Sequence, residues 1–371
     1  MRGPPLRPIV IAAGGTGGHF FPAEALADEL QQRGRRVVLM TDARSGGLKS
    51  PVFEGQERFL LPGHGVFGRG ALHALGAALA LARATLKARR LLATLDAAVV
   101  VGFGGYPAVA PVLAGRLVRH RPRLVVHDQN AVLGRANRLL ARIADTLALS
   151  HAATRRLPKG VPTVLTGNPV RPALLRVAGS PYEPPAMEFR LLVLGGSLGA
   201  RVFSDVVPAA LARLPAGLGQ RLAVTQQCRA EDLERVRAAY AEAGIRAELA
   251  SFFTDVAGLL ARTHLVIARS GGSTVAELAV VGRPAILVPL PIAIDDDQAA
   301  NAATLVEAGG AWMVRQPLFT PEALAERIAA LAASPATLTA AASAAGRCGI
   351  ADAAARLADL IERAMAEGVK A

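Results

Sequence analysis

Four times along the chain a short apolar run ends in a cluster of glycines and passes into a helical pattern. This repeat constrains the fold more than any other feature of the sequence. Pro8 to Ala13 leads into Gly14-Gly15-Thr16-Gly17-Gly18 and a helix through Ala23, Leu26 and Leu30, and Val99 to Val101 leads into Gly102-Phe103-Gly104-Gly105. The second half follows the same plan. Leu191 to Leu194 precede Gly195-Gly196-Ser197-Leu198-Gly199 and a helix carrying Val202, Val206 and Leu211, and Leu265 to Ala268 precede Ser270-Gly271-Gly272-Ser273. Short apolar strands alternating with helices predict βαβ units and parallel sheets covered on both faces. The expected fold class is therefore α/β: two Rossmann-like, doubly wound parallel-sheet domains facing each other across a cleft. Every glycine turn falls at the carboxyl end of a strand, where open α/β sheets bind their ligands.

The length agrees, since 371 residues at about 150 per domain make two domains. The break is expected at residues 178–188, where Gly179, Ser180, Pro181, Pro184 and Pro185 interrupt every period. Residues 1–177 then form the first domain and 189–371 the second, whose last helix is a candidate to pack back on the first. Two cysteines, Cys228 and Cys348, cannot build a disulfide framework or a cysteine zinc site, and point to a reducing compartment.

Charge is divided unevenly. Residues 1–178 carry 25 Lys and Arg against 9 Asp and Glu, net +16, whereas the remainder carries 17 against 20, net −3. A basic half suggests an anionic partner, either a membrane surface or nucleic acid. Aromatic residues make up 4% of the chain and no nucleic-acid-binding motif is present, which argues against nucleic acid, because single strands need stacking platforms. The apolar run Ile9 to Ala13 is too short for a signal peptide. Ala97 to Gly115 is uncharged over 19 residues, but Gly102, Gly104, Gly105, Pro107 and Pro111 make it a buried strand entering a loop rather than a membrane span. The protein is expected to be soluble or peripheral.

A glycine turn before a helix lets backbone amides and the helix dipole meet an anion, with phosphate the natural ligand. The loops complete no stronger motif. GxxxxGK followed by Ser or Thr is absent, and Gly15-Thr16-Gly17 fails the dinucleotide pattern because position 20 is Phe. Asp42, after the run Val37 to Met40, still mimics the acid that holds an NAD ribose, which keeps a dehydrogenase as an alternative. His19, at the mouth of the first loop, reads either as a base for an attacking hydroxyl or as a helix-starting residue that bonds backbone or phosphate. Glu277, placed near the start of the helix after Ser270-Gly271-Gly272-Ser273, reads either as a dipole partner or as an acceptor for ribose hydroxyls. Asp295-Asp296-Asp297 is taken as solvated loop charge rather than a metal site, since adjacent side chains diverge. Gln298 and Asn301, three apart on the next helix, either read sugar hydroxyls or cap the helix.

Six segments taken in order carry a resemblance. They are Gly14-Gly15-Thr16-Gly17-Gly18-His19, Gly102-Phe103-Gly104-Gly105-Tyr106, His127-Asp128-Gln129-Asn130, Gly167-Asn168-Pro169-Val170-Arg171, Gly195-Gly196-Ser197-Leu198-Gly199-Ala200 and the run Ser270 to Glu277. With Gln298 and Asn301 they resemble the MurG family over residues 14 to 301. Its members are GT-B glycosyltransferases that transfer N-acetylglucosamine from UDP-N-acetylglucosamine to undecaprenyl-diphospho-N-acetylmuramoyl-pentapeptide.

The resemblance implies a donor nucleotide on the C-terminal domain and the acceptor on the N-terminal one. It places the UDP diphosphate and ribose on Gly272, Ser273, Thr274, Val275, Ala276 and Glu277, with Glu277 taking the ribose hydroxyls. Phe253 would read uracil through its backbone and Gln298 would contact the sugar hydroxyls. Ser197, Arg171, Asn130, Thr16, Gly17 and Gly18 would complete the donor site. His19, Gly104, Gly105, Tyr106 and His127 would face the acceptor. Two positions depart from the family: Asp128, where Glu is usual, and Gly271-Gly272-Ser273, where some members carry bulkier residues.

The reaction implied is inverting: the muramoyl 4-hydroxyl displaces UDP, with His19 as base and Asp42 and Asp128 as weaker candidates, and no obligatory metal or other cofactor. A lipid-linked acceptor implies a peripheral protein at the cytoplasmic face of the cell membrane, and gives the basic half an anionic membrane surface to meet. Leu72, Leu75, Leu79 and Leu86 share a helical face with Arg83 and Arg90, near Lys87 and Arg89, which reads either as an interfacial element or as a helix packed on the sheet. A UDP-sugar epimerase of the same fold is the nearest alternative, and would turn over the donor without any acceptor.

Overall fold

The computed structural model describes residues 7–15, 17–42, 50–62, 71–196 and 199–369. The chain divides into two units, Met1–Pro172 with Asp352–Ala371, and Ala173–Ala351. The boundary falls before residue 173, ahead of the break expected at 178–188, and the last twenty residues, with the terminal helix named as a candidate to pack back on the first domain, group with the first unit.

The first unit holds seven strands: β1 (Ile9–Ala12), β2 (Val37–Asp42), β3 (Glu57–Leu61), β4 (Val99–Gly102), β5 (Arg123–Asp128), β6 (Thr146–Leu149) and β7 (Thr163–Leu165). All neighbours pair in parallel, in the order β3-β2-β1-β4-β5-β6-β7. Because strand side chains alternate between faces, one four-residue strand feeds two cores. Ile9 and Ile11 join Val99 and Val101 on one face, while Val10 and Ala12 join Val100 on the other. The first face is covered by α1 (Gly17–Gln32) through Phe20, Ala23, Leu26, Ala27 and Leu30, and by the terminal helix Ala353–Val369 through Leu357, Ala358, Leu360 and Ile361. The second is covered by α2 (Ala71–Leu95) through Ala84, Ala88 and Leu92, by α3 (Gly105–Gly115) and by α4 (Arg135–Leu140). Residues expected not to span a membrane, 97–115, thus supply β4 and an 11-residue helix. Among the described residues no single helix is long and apolar enough to cross a membrane.

The second unit holds six parallel strands: β8 (Phe189–Leu194), β9 (Leu222–Gln227), β10 (Arg246–Ala250), β11 (Leu265–Ala268), β12 (Ala285–Leu287) and β13 (Ala311–Met313). Their order, β10-β9-β8-β11-β12-β13, repeats the pattern of the first unit's strands β3-β2-β1-β4-β5-β6. In each sheet the winding reverses beside its first strand, between β1 and β4 and between β8 and β11. A crevice opens at such a reversal because the flanking connections leave on opposite faces. All four glycine turns lie at these two reversals.

Candidate functional site

In the first unit the turns after β1, β4 and β5 converge. His19 is the third residue of α1, half-buried, and its Nδ1 lies 2.9 Å from Gln129 Oε1 on the loop after β5. Gly105 opens α3 with φ of +67°, a conformation side-chain-bearing residues rarely adopt. A Cβ there would lie 3.2 Å from His19 Cδ2 and 3.5 Å from Nε2, so glycine keeps the edge of the imidazole clear. Tyr106 follows; burial raises its hydroxyl's pKa, and that hydroxyl has no hydrogen-bond partner among the described residues. Asn168, buried on the loop after β7, likewise leaves both amide atoms without a partner among the described residues. Such atoms are costly unless something satisfies them, which marks the region as a place for polar ligand groups.

His127 does not reach that region. It is fully buried against Phe103, with Nε2 3.0 Å from Gly167 O and Nδ1 3.1 Å from Gln129 Nε2, and burial pulls its pKa down to about 4. His127, expected at the acceptor, is thus bonded internally on both ring nitrogens. Gly104 is also buried, with Asn137 packed against it. Asp128, a weaker candidate for the base, is buried too, and burial raises its pKa. Its carboxylate accepts from Asn130 N, Gly134 N and Asn137 Nδ2, each at 2.9 Å, so it fastens the loop that carries Asn130. Arg171 stands over the Phe21 ring at 4.7 Å, which brings it beside α1. Gly17 packs against the same ring, and Gly18, the second residue of α1, is exposed. Asp42 ends β2 and is buried. Thr16 lies outside the described residues.

In the second unit the helix Gly272–Val281 starts directly after the turn that follows β11. Gly271 precedes it with no side-chain cap, and Val275 N already bonds Gly271 O at 3.0 Å. The amides of Gly272 to Thr274 therefore precede the helix's own ladder and face the turn. Val275 is 2% exposed and anchors the helix in the core, and Ala276 is half-buried. Glu277 is the sixth helical residue, further along than the sequence suggested. The dipole's influence fades within the first turn, which weakens the reading of this carboxylate as a dipole partner.

The remaining groups sort into those that hold the turn and those left outward. Asn301 is fully buried and donates from Nδ2 to Ser270 O at 3.1 Å, so it holds the turn rather than reading a sugar. Gln298 Oε1 accepts from Leu290 N at 3.0 Å, which commits its carbonyl end to the preceding loop and leaves its amide nitrogen as the group with which to meet a ligand. Gln227 secures the turn after β8, accepting from Gly195 N and donating to Gly196 O and Ser251 O. At Gly195 a Cβ would stand 2.4 Å from Ala200 N, which no side chain permits. Ser197 lies outside the described residues. Phe253 sits half-buried beyond β10, before the helix that Asp255 caps. Asp296 forms a two-point ion pair with Arg315, at 2.6 and 2.8 Å, and is tied into the fold. Gln129, Asn137 and Gln227 were not singled out from sequence, since their roles depend on partners remote in the chain.

Two parallel-sheet units with a shared six-strand order, each with glycine turns at its reversal, have the architecture of the GT-B glycosyltransferases. Residues 9–149 match the glycosyltransferase family 28 N-terminal domain and residues 190–362 its C-terminal domain. The UDP-N-acetylglucosamine--N-acetylmuramyl-(pentapeptide) pyrophosphoryl-undecaprenol N-acetylglucosamine transferase of Granulibacter bethesdensis is 63% identical over 361 residues, 97% of this chain and 94% of that protein. The crystal structure of Acinetobacter baumannii MurG superposes with a TM-score of 0.77 at 30% identity, covering 96% of this chain and 99% of that one. A UDP-N-acetylglucosamine 2-epimerase shares the fold alone, with a TM-score of 0.68 at 16% identity and 96% coverage of both chains. The chain belongs to the MurG family.

Proposed function

We propose that this chain transfers N-acetylglucosamine, with inversion, from UDP-N-acetylglucosamine to the 4-hydroxyl of undecaprenyl-diphospho-N-acetylmuramoyl-pentapeptide, forming the lipid-linked disaccharide precursor of peptidoglycan. The observation that carries this reading is the full-length 63% identity to a transferase of that name.

His19 Nε2 takes the proton of the acceptor hydroxyl as its oxygen attacks the anomeric carbon, and the bond to the UDP oxygen breaks. Negative charge then grows on the diphosphate. The amides of Gly272, Ser273 and Thr274 and the positive end of their helix meet it, which is electrostatic stabilisation already in place before reaction and needing no obligatory divalent cation. Glu277 takes the ribose hydroxyls, Phe253 the uracil edge, and the Gln298 amide the sugar. Arg171, Asn130, Thr16, Gly17 and Gly18 are assigned to the donor as well, and Tyr106 and Asn168, whose polar atoms have no partner among the described residues, to the acceptor.

A lipid-linked acceptor brings the enzyme to the cytoplasmic face of the membrane as a peripheral protein. Support comes from α2, whose Leu75, Leu79 and Leu86 are 60%, 51% and 53% exposed beside exposed Arg83 and Arg90, while its Ala84, Ala88 and Leu92 pack inward. Leu72 belongs to the same expected face, but its side chain lies outside the described residues. No nucleic acid partner is proposed.

The test is UDP release from UDP-N-acetylglucosamine with and without a short-chain lipid-linked acceptor, in the native protein, Glu277→Ala and His19→Ala. Release that requires acceptor and is lost in both variants supports the assignment. Donor turnover to an epimer without acceptor would replace it with the epimerase.

A further inference from the structure

The hydrogen bonds behind His19 can be assigned proton by proton, because the chain of partners ends on carbonyls. A carbonyl only accepts, so Gly167 O requires a proton on His127 Nε2, 3.0 Å away. Ser150 agrees: its hydroxyl donates to Asp128 O at 2.7 Å and turns a lone pair toward the same nitrogen. Burial keeps His127 neutral, with its pKa near 4, so its Nδ1 is bare and accepts. The donor is Gln129 Nε2 at 3.1 Å, which also donates to Phe103 O at 3.0 Å. Turning the amide over would set its oxygen against the Phe103 carbonyl and the His127 lone pair, two repulsive contacts in a buried place. Gln129 Oε1 therefore faces His19, and at 2.9 Å it accepts a proton from Nδ1. The remaining nitrogen, Nε2, carries the lone pair beside Gly105, where the missing Cβ leaves room.

We propose that Gln129 and His127 are positioning residues that hold His19 in its Nδ1-protonated tautomer, so that Nε2 is the atom that takes the proton from the acceptor hydroxyl. The inference rests on the reading of His19 as base. Free histidine in water prefers the opposite tautomer, whose Nε2 already bears a proton and cannot accept one; the relay reverses that preference. A neutral amide does this without the charge a carboxylate would add. The four groups come from α1, from β5 and the loop after it, and from the loop after β7, all within the first unit.

The experiment is two-bond proton–nitrogen NMR on the full chain labelled with 15N-histidine, at a pH above the histidine range. The expected spectrum has His19 protonated at Nδ1 and His127 at Nε2. In Gln129→Met, which keeps length and removes the amide, His19 should shift to the Nε2-protonated form. The kcat should fall roughly 100-fold while KM for UDP-N-acetylglucosamine holds. A native His19 protonated at Nε2 would overturn the proposal whether or not the variant folds. So would a Gln129→Met protein with unchanged tautomer or unchanged kcat. Full activity in His19→Ala, with the expected native spectrum, would instead remove the base assignment and leave the tautomer standing.

Discussion

His19 and Glu277 divide the proposed chemistry, one handling the proton and the other the donor's ribose. Replacing Glu277 with Ala removes hydrogen bonds to a charged acceptor worth about 1.5–3 kcal/mol, so KM for UDP-N-acetylglucosamine should rise roughly 10- to 100-fold with a smaller change in kcat, measurable by steady-state kinetics. The place of His19, at the start of the helix after the first glycine turn, was legible in the sequence because strand, glycines and helix follow one another there. Gln129 was not, since its meaning comes from His19, 110 positions away, and from Phe103 and His127. His127 shows the same limit in reverse, since motif position suggested a ligand contact and packing buried it. Burial has a consequence for stability. His127 and His264 are each neutral in the fold, their pKa values pulled down to about 4 chiefly by burial. Below the ordinary value near 6.5 the unfolded chain gains protons that the folded chain refuses, so stability falls as pH drops from about 6.5 toward 4. Urea midpoints across that range should decline steadily, and a flat profile would contradict it.

At the scale of elements, the strand–glycine–helix units were readable because each combines a short apolar run, glycine and a 3.6-residue period. The helix starts were less so, and Glu277 lies a full turn further in than its spacing from Ser270 suggested. For α2 the sequence left two readings, a packed helix or an interfacial one, and the structure shows one face packed and the other exposed. Alanines and Leu92 bury one face; Leu75, Leu79 and Leu86 leave the other exposed. Changing those three leucines to Gln should reduce binding to anionic vesicles by roughly 10-fold or more, because burying each leucine is worth about 1.5–3 kcal/mol and anchoring draws on part of that. Turnover of a soluble short-chain acceptor and the melting temperature should stay near native values. Undiminished vesicle binding would move the membrane contact elsewhere.

At the scale of the whole molecule, the chain's linear halves are not its units. The glycine- and proline-rich stretch at 178–188 looked like the boundary because it stops every period, but the division falls ahead of it. The terminal helix belongs to the first unit for a reason written in three-dimensional contacts: Leu357 and Ile361 complete the core over β1 and β4, while Arg33 pairs with Asp359 and Glu362 at 2.6 and 2.9 Å. Ile361→Ala should cost about 2–5 kcal/mol through the cavity it leaves, read as a lower denaturation midpoint, although the residue is far in sequence from the sheet it supports. The central claim is that two Rossmann-like units act as one inverting, acceptor-dependent transferase, and product analysis addresses it most directly. The full-length protein, UDP-N-acetylglucosamine and a lipid-linked muramoyl-pentapeptide would be incubated with a metal chelator and the lipid product examined by mass and anomeric configuration. The account predicts one added N-acetylhexosamine in a β-1,4 linkage. An α-linked product, or a free epimerised nucleotide sugar with the lipid unchanged, would contradict it.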